Sequence, residues 1–148
     1  MTTAAITPGN THRARTTALD AYKAFLAAES TARPAVNAAI AADTSGRTLV
    51  LVMDKFALSL ACKTTAGGKA LAKNTISSYY SNVKNHYLDA FEGQRSVCER
   101  KLAKIGTTLE KHCATKDSVF TNKTPACTLK DLQALTTAIF KNAASARD

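Results

Sequence analysis

Between Asn74 and Phe91 the large apolar side chains recur at helical spacing. Ile76, Tyr80, Val83, Tyr87 and Phe91 fall on one stripe when each residue turns the chain by about 100°. A half-buried strand needs alternation of period two, and this segment has none. A helix with such a stripe must be packed on by other elements. Its opposite face carries Thr75, Ser78, Asn82 and Asn85, polar but almost uncharged. Solvated helix faces commonly use Lys and Glu, which are good helix formers, whereas Ser, Thr and Asn cost helix propensity. Short donors and acceptors suit close docking against DNA phosphates and base edges. The same residues also read as a poorly optimised solvent face, and taken alone they leave both readings open.

The remaining segments supply helices rather than a sheet. Leu49-Val50-Leu51-Val52-Met53 has strand propensity, but Phe56, Leu58, Leu60 and Ala61 continue it as a helix over 47–62. No second strand is available to pair with it. A first helix is expected over 17–29, with Leu19, Tyr22, Phe25 and Leu26 at core spacing, broken between Thr31 and Pro34. A short helical piece over 35–42 follows. Asn74 or Thr75 can cap the central helix and Gly93 can close it. A further helix is expected over 95–112, with Val97, Leu102, Ile105 and Leu109 inward. Thr128-Leu129-Lys130-Asp131 is a capping box in its Asp form and opens a last helix through Phe140, with Leu132, Leu135 and Ile139 on one side. Frequent Ala, few aromatics and three prolines agree with an all-α bundle of four to five helices plus one isolated helix. The expected organisation is a flexible basic arm over 1–16 carrying His12, Arg13 and Arg15, a helical domain over 17–113, a linker over 114–127 and a lone helix within 128–148.

Charge narrows the partners. The net charge is +9 in 148 residues, with nine basic and four acidic side chains over 1–74 and eleven and seven over 75–148. The folded body is itself cationic, which favours polyanions, with nucleic acid ahead of an anionic membrane surface. The first twenty residues have no apolar run of the secretory kind, and the stretch 49–53 is too short to span a bilayer. The expectation is a protein that is not secreted, nuclear in a eukaryote and otherwise cytoplasmic. Cys62, Cys98, Cys113 and Cys127 show no paired spacing and read as reduced thiols. A zinc site from His112, Cys113 and Cys127 can be imagined, but nothing in the spacing demands it, so no cofactor is expected. The sequon Asn122-Lys123-Thr124 reads as idle in such a compartment. Gly67-Gly68-Lys69 lacks the preceding glycine and following hydroxyl of a phosphate-cradling loop. No nucleophile is paired in sequence with an evident base, and no small-molecule substrate is implied.

The order of these features resembles the N-terminal half of a tyrosine recombinase of the phage-integrase family, the type carried by crypton mobile elements. Three stretches carry the resemblance, over about 17–148: Asn74-Thr75-Ile76-Ser77-Ser78-Tyr79 at the entry of the polar-faced helix, Gly106-Thr107-Thr108-Leu109-Glu110-Lys111-His112-Cys113, and Pro125-Ala126-Cys127-Thr128-Leu129-Lys130-Asp131-Leu132. The resemblance implies a SAM-like core-binding domain followed by the first helix of a catalytic domain. It implies double-stranded DNA as partner, met by Asn74, Thr75, Ser78, Tyr79 and Asn82, with Lys73 and Lys84 as phosphate partners. Tyr79 lies between the polar face and the core, and a packing role suits it equally. The family's catalytic Arg, Lys, His and Tyr groups are expected beyond Asp148, so this chain is not expected to cut DNA by itself. Two alternatives stand beside this reading. One is a protein–protein module that self-associates through the apolar stripe of 128–142; the other is a mobile-element fragment without function.

Overall fold

The computed structural model describes residues 9–117 and 128–145; the expected arm before Gly9 and most of the expected linker lie outside them. Six helices follow one another among the described residues: α1 (Gly9–Ala28), α2 (Arg33–Ala42), α3 (Arg47–Cys62), α4 (Lys73–Ala90), α5 (Glu92–Asp117) and α6 (Leu129–Ser145). No strand forms there; a single antiparallel bridge joins Thr64 to Ala70 in the loop between α3 and α4, where Gly68 takes a left-handed φ of 74°. The protein is an all-α helical bundle.

The central helix is α4, packed by α1 on one side, α5 on the other and α3 behind. Its inner stripe is the one the spacing requires: Ile76, Tyr80, Val83 and Tyr87 are buried, with Phe91 half-buried at its end. Tyr87 and Phe56 each meet the ring of Tyr22 edge-on, with centroids 5.6 and 5.1 Å away. Two buried phenols need partners, and each finds one. Tyr80 donates to the carbonyl of Leu102 at 2.8 Å, and Tyr87 to the hydroxyl of Tyr22 at 2.9 Å. Burial pushes the Tyr22 and Tyr80 hydroxyls well above the usual phenol range, so both stay protonated. The pairs Tyr80–Leu102 and Ser77–Glu110 make α5 antiparallel to α4, whereas Cys98–Gly46 and Lys116–Ala61 make it parallel to α3.

The turn between α2 and α3 is fixed from both ends. Gln94, buried on α5, donates to the carbonyls of Ile40 and Asp43 where α2 ends, alongside the backbone N–H groups of Asp43 and Gly46 that those carbonyls also accept. Asp43 then accepts from the backbone and side chain of Ser45 and of Thr48, anchoring the first turn of α3. Those four donors hold its carboxyl well below the usual carboxylate range, with Ser45 the largest contributor. Gly46 enters α3 at φ 72°, and a Cβ there would collide with Cys98 Sγ.

Several boundaries differ from expectation. The first helix starts at Gly9, so His12, Arg13 and Arg15 lie on α1 instead of on an arm. The cap of α4 is Ala72, with no side-chain cap bond, which places Asn74 and Thr75 inside the first turn. Gly93 does not close α4: the break falls at Phe91, and Gly93 belongs to α5. On α5 the buried residue is Cys98, and Val97 is 46% exposed, because the stripe facing α3 and α4 runs through Cys98, Leu102 and Leu109. That helix also continues to Asp117, into the span expected to be linker.

Two outcomes test this account. Replacing Gly46 with Ala combines a left-handed backbone with overpacking on Cys98, and should lower stability by about 2 kcal/mol or more in urea unfolding. Asp43→Asn should lower the melting temperature at pH 7. Because the folded carboxyl titrates below its unfolded value of about 3.9, its stabilisation is present above that pH and lost as pH falls towards the folded value. The gap between the two proteins should therefore narrow on acidification below about pH 4.

Candidate nucleic-acid interface

Packing on three sides leaves α4 one face to solvent. Along it run Asn74 (exposed), Thr75, Ser78 and Asn82 (half-buried) and Asn85 (exposed), ending at Asp89 (exposed). The strip lies between α1 and α5, the two helices that flank α4. The Asn82 amide nitrogen donates to the Ser78 carbonyl at 2.8 Å and to its hydroxyl at 3.3 Å. A carbonyl can only accept, so this fixes the amide orientation and turns Asn82 Oδ1 away from its own helix as an acceptor. Among the described residues, no hydrogen bond joins Asn74, Ser78 or Asn82 to another helix.

The other expected contact residues are placed differently. Lys73 and Lys84 are half-buried on the flank of Ser77, whose hydroxyl donates to Glu110 of α5 at 2.6 Å. By helical periodicity Lys84 lies about a third of a turn from Ser78, so the two lysines do not share the strip. Tyr79 packs half-buried against the core.

Positive charge also reaches the strip from arginines far apart in sequence. Arg15 of α1 and Arg95 of α5 reach the two oxygens of Asp89 at 3.7 and 3.0 Å, closing the strip from both flanks. Arg33, at the start of α2, places a guanidinium nitrogen 2.8 Å from His86 Nε2. A guanidinium only donates, so that ring nitrogen accepts and the imidazole is neutral there. Burial, reinforced by Arg33 and Arg15, holds the His86 pKa below its usual value. Three arginines, one neutral histidine and one carboxylate thus share the C-terminal end of the strip. In the sequence Arg15 reads only as part of a basic arm and neither Arg33 nor Arg95 stands out, since nothing but the fold joins positions 15, 33 and 95.

Elsewhere, Cys62 is exposed while Cys98 and Cys113 are buried; Cys127 of the imagined zinc site lies outside the described residues. Among the described residues no group of three His, Cys, Asp or Glu side chains is placed to hold a metal, and no helix is long and apolar enough to cross a membrane. Thr128 and Asp131 form the expected capping box, the backbone of each meeting the side chain of the other at 2.9 and 3.3 Å. The helix they open leaves Leu129, Leu132, Leu135 and Ile139 exposed. Comparison with known protein families, with curated proteins and with solved structures found no match to this chain.

Apart from the local bonds between Asn82 and Ser78, no hydrogen bond ties Asn74, Ser78 or Asn82 to the rest of the described residues. Changing Asn74, Ser78 and Asn82 together to Ala replaces three weak helix formers with the best one, each worth a few tenths of a kcal/mol. The melting temperature of the triple variant should stay level or rise; a clear drop would mean that these side chains are structural.

Proposed function

We propose that the protein is a DNA-binding helical module of the core-binding kind found in tyrosine recombinases, and that it docks α4 against duplex DNA. The observation that carries this reading is the solvent-facing, partly exposed and nearly uncharged Asn/Ser/Thr strip ending in three arginines from α1, α2 and α5. The arginines supply sequence-independent attraction to phosphates, and the short polar groups supply close contacts at the surface between them. Lys73 and Lys84 belong to the reading as flank contacts only, and Tyr79 as a packing residue beside the strip. No catalytic role is assigned to any residue of this chain. The net charge of +9 fits a polyanionic partner.

Asp89 gives the reading a sharp consequence. Its carboxylate occupies Arg15 and Arg95, as a phosphate oxygen would, so it competes with DNA for them. Asp89→Asn should tighten binding to a labelled duplex several-fold in an anisotropy titration at low salt. Asp54→Asn, the same charge change between α3 and α5, should have little effect. The triple Ala change in the strip should weaken binding, and affinity should fall by about 0.9 log units per log unit of salt for each phosphate neutralised. Equal responses to Asp89→Asn and Asp54→Asn would reduce the interface to generic positive charge. Absence of binding at low salt would end the DNA reading.

A second reading rests on α6, whose large aliphatic side chains are unusually bare: Leu129 is 72% and Ile139 59% exposed. On that ground the chain self-associates through the apolar stripe of 128–142. Sedimentation of the full chain should then show dimers or larger species, and Leu132→Glu with Leu135→Glu should return it to monomers.

A further inference from the structure

The face of α5 turned away from the α4 strip forms, with α3, an open groove that neither reading uses. Its floor is Val50, Ala57, Ile105 and Leu109, and one wall is raised by Leu51 and Leu58, which are 58% and 66% exposed. Those two leucines are seven residues apart, two turns of α3, so they stand in line along the groove. Charged ends border it: Arg47, Lys101 and Lys104, with His112 at one end and Asp54 as the sole acidic group among the lining residues. The groove extends from Arg47 to Ala61 along α3, about 21 Å at 1.5 Å per residue.

We infer that this groove is a docking site for an acidic amphipathic helix of a partner protein, about four turns long. The aliphatic floor and walls call for a leucine-rich face, which DNA does not offer. The concave shape fits a cylinder better than a flat membrane surface. The basic rim calls for Glu or Asp along the flanks of the ligand helix. That charge requirement argues against α6 as the occupant, whether from the same chain or from a second copy. The charged groups on α6 are Lys130, Asp131 and Lys141, and Asp131 is already held in the capping box. The inference does not rest on DNA binding, because none of the groove residues belongs to the α4 strip or to the arginine cluster.

The test uses the full chain and two labelled synthetic peptides of about fourteen residues. Both carry leucines at helical core spacing; one has glutamates on its flanks and the other has lysines in the same places. The glutamate peptide should bind at least about tenfold more tightly. Lys101→Glu with Lys104→Glu should reverse that order. Leu51→Glu with Leu58→Glu should abolish binding of the glutamate peptide; both leucines are exposed, so the circular dichroism spectrum and duplex binding should be unchanged. Equal affinity for the two peptides, or indifference to the leucine changes, would overturn the assignment. So would tighter glutamate-peptide binding after Leu132→Glu and Leu135→Glu, which would identify α6 as the groove's own occupant. Vesicles containing phosphatidylserine that bind through Leu51 and Leu58 while the peptides do not would replace the helix with a lipid surface.

Discussion

The rotation of α4 about its own axis is set by two phenol hydroxyls that must find partners in the core. Tyr80 reaches back to the Leu102 carbonyl on α5, and Tyr87 reaches across to Tyr22 on α1. A hydroxyl buried without a partner costs on the order of 1–3 kcal/mol, so a turn of the helix that broke either bond would be disfavoured. The two bonds point to opposite flanks and leave little freedom between them. Once they are made, Ser78, Asn82 and Asn85 have only the solvent side left. The exposed strip is therefore a consequence of the tyrosine pair, and its polar composition is what the sequence adds to that geometry.

Close approach to α5 carries the same constraint further. Gly106 lies opposite the Tyr80 ring, where a Cβ would come within 3.1 Å of the ring edge. At the other end of α5, Gln94 ties down the carbonyls that end α2, and Cys98 fills the space beside Gly46. One helix thus closes the bundle at both ends. It also divides the surface: its α4 side borders the polar strip, and its α3 side forms the leucine-walled groove.

What the sequence revealed and what it hid follow from how local each signal is. The inner stripe of α4, the span of α3 and the capping box of α6 depend on neighbours within a few residues, and the structure places each where the spacing requires. The start of α1 did not read through, because Gly9, Asn10 and Thr11 are poor helix formers while Arg15, a turn further on, is held against Asp89. Gly93 looked like a terminator, but a glycine within a first helical turn costs little, and the break came two residues earlier. Leu51 and Leu58 sit inside an almost continuous apolar run, which gives no hint that they face outward. The arginine cluster was hidden for a different reason. Its members are separated by up to eighty residues, and only packing brings them together.

The arrangement of charge at the end of the strip also explains why a cationic surface need not be indiscriminate. Arg15 and Arg95 are each engaged by Asp89, and Arg33 is engaged by a neutral His86. An anion arriving at this end must offer more than a single carboxylate does, since it displaces one already in place. On the proposed reading a duplex backbone would do so, because successive phosphates would engage several arginines together while the strip met the surface between them. An isolated anion gains from one exchange only. On that reading the carboxylate would raise the threshold for binding and would favour extended polyanions whose charge spacing spans the flanks of α4 over small anions that merely match the sign.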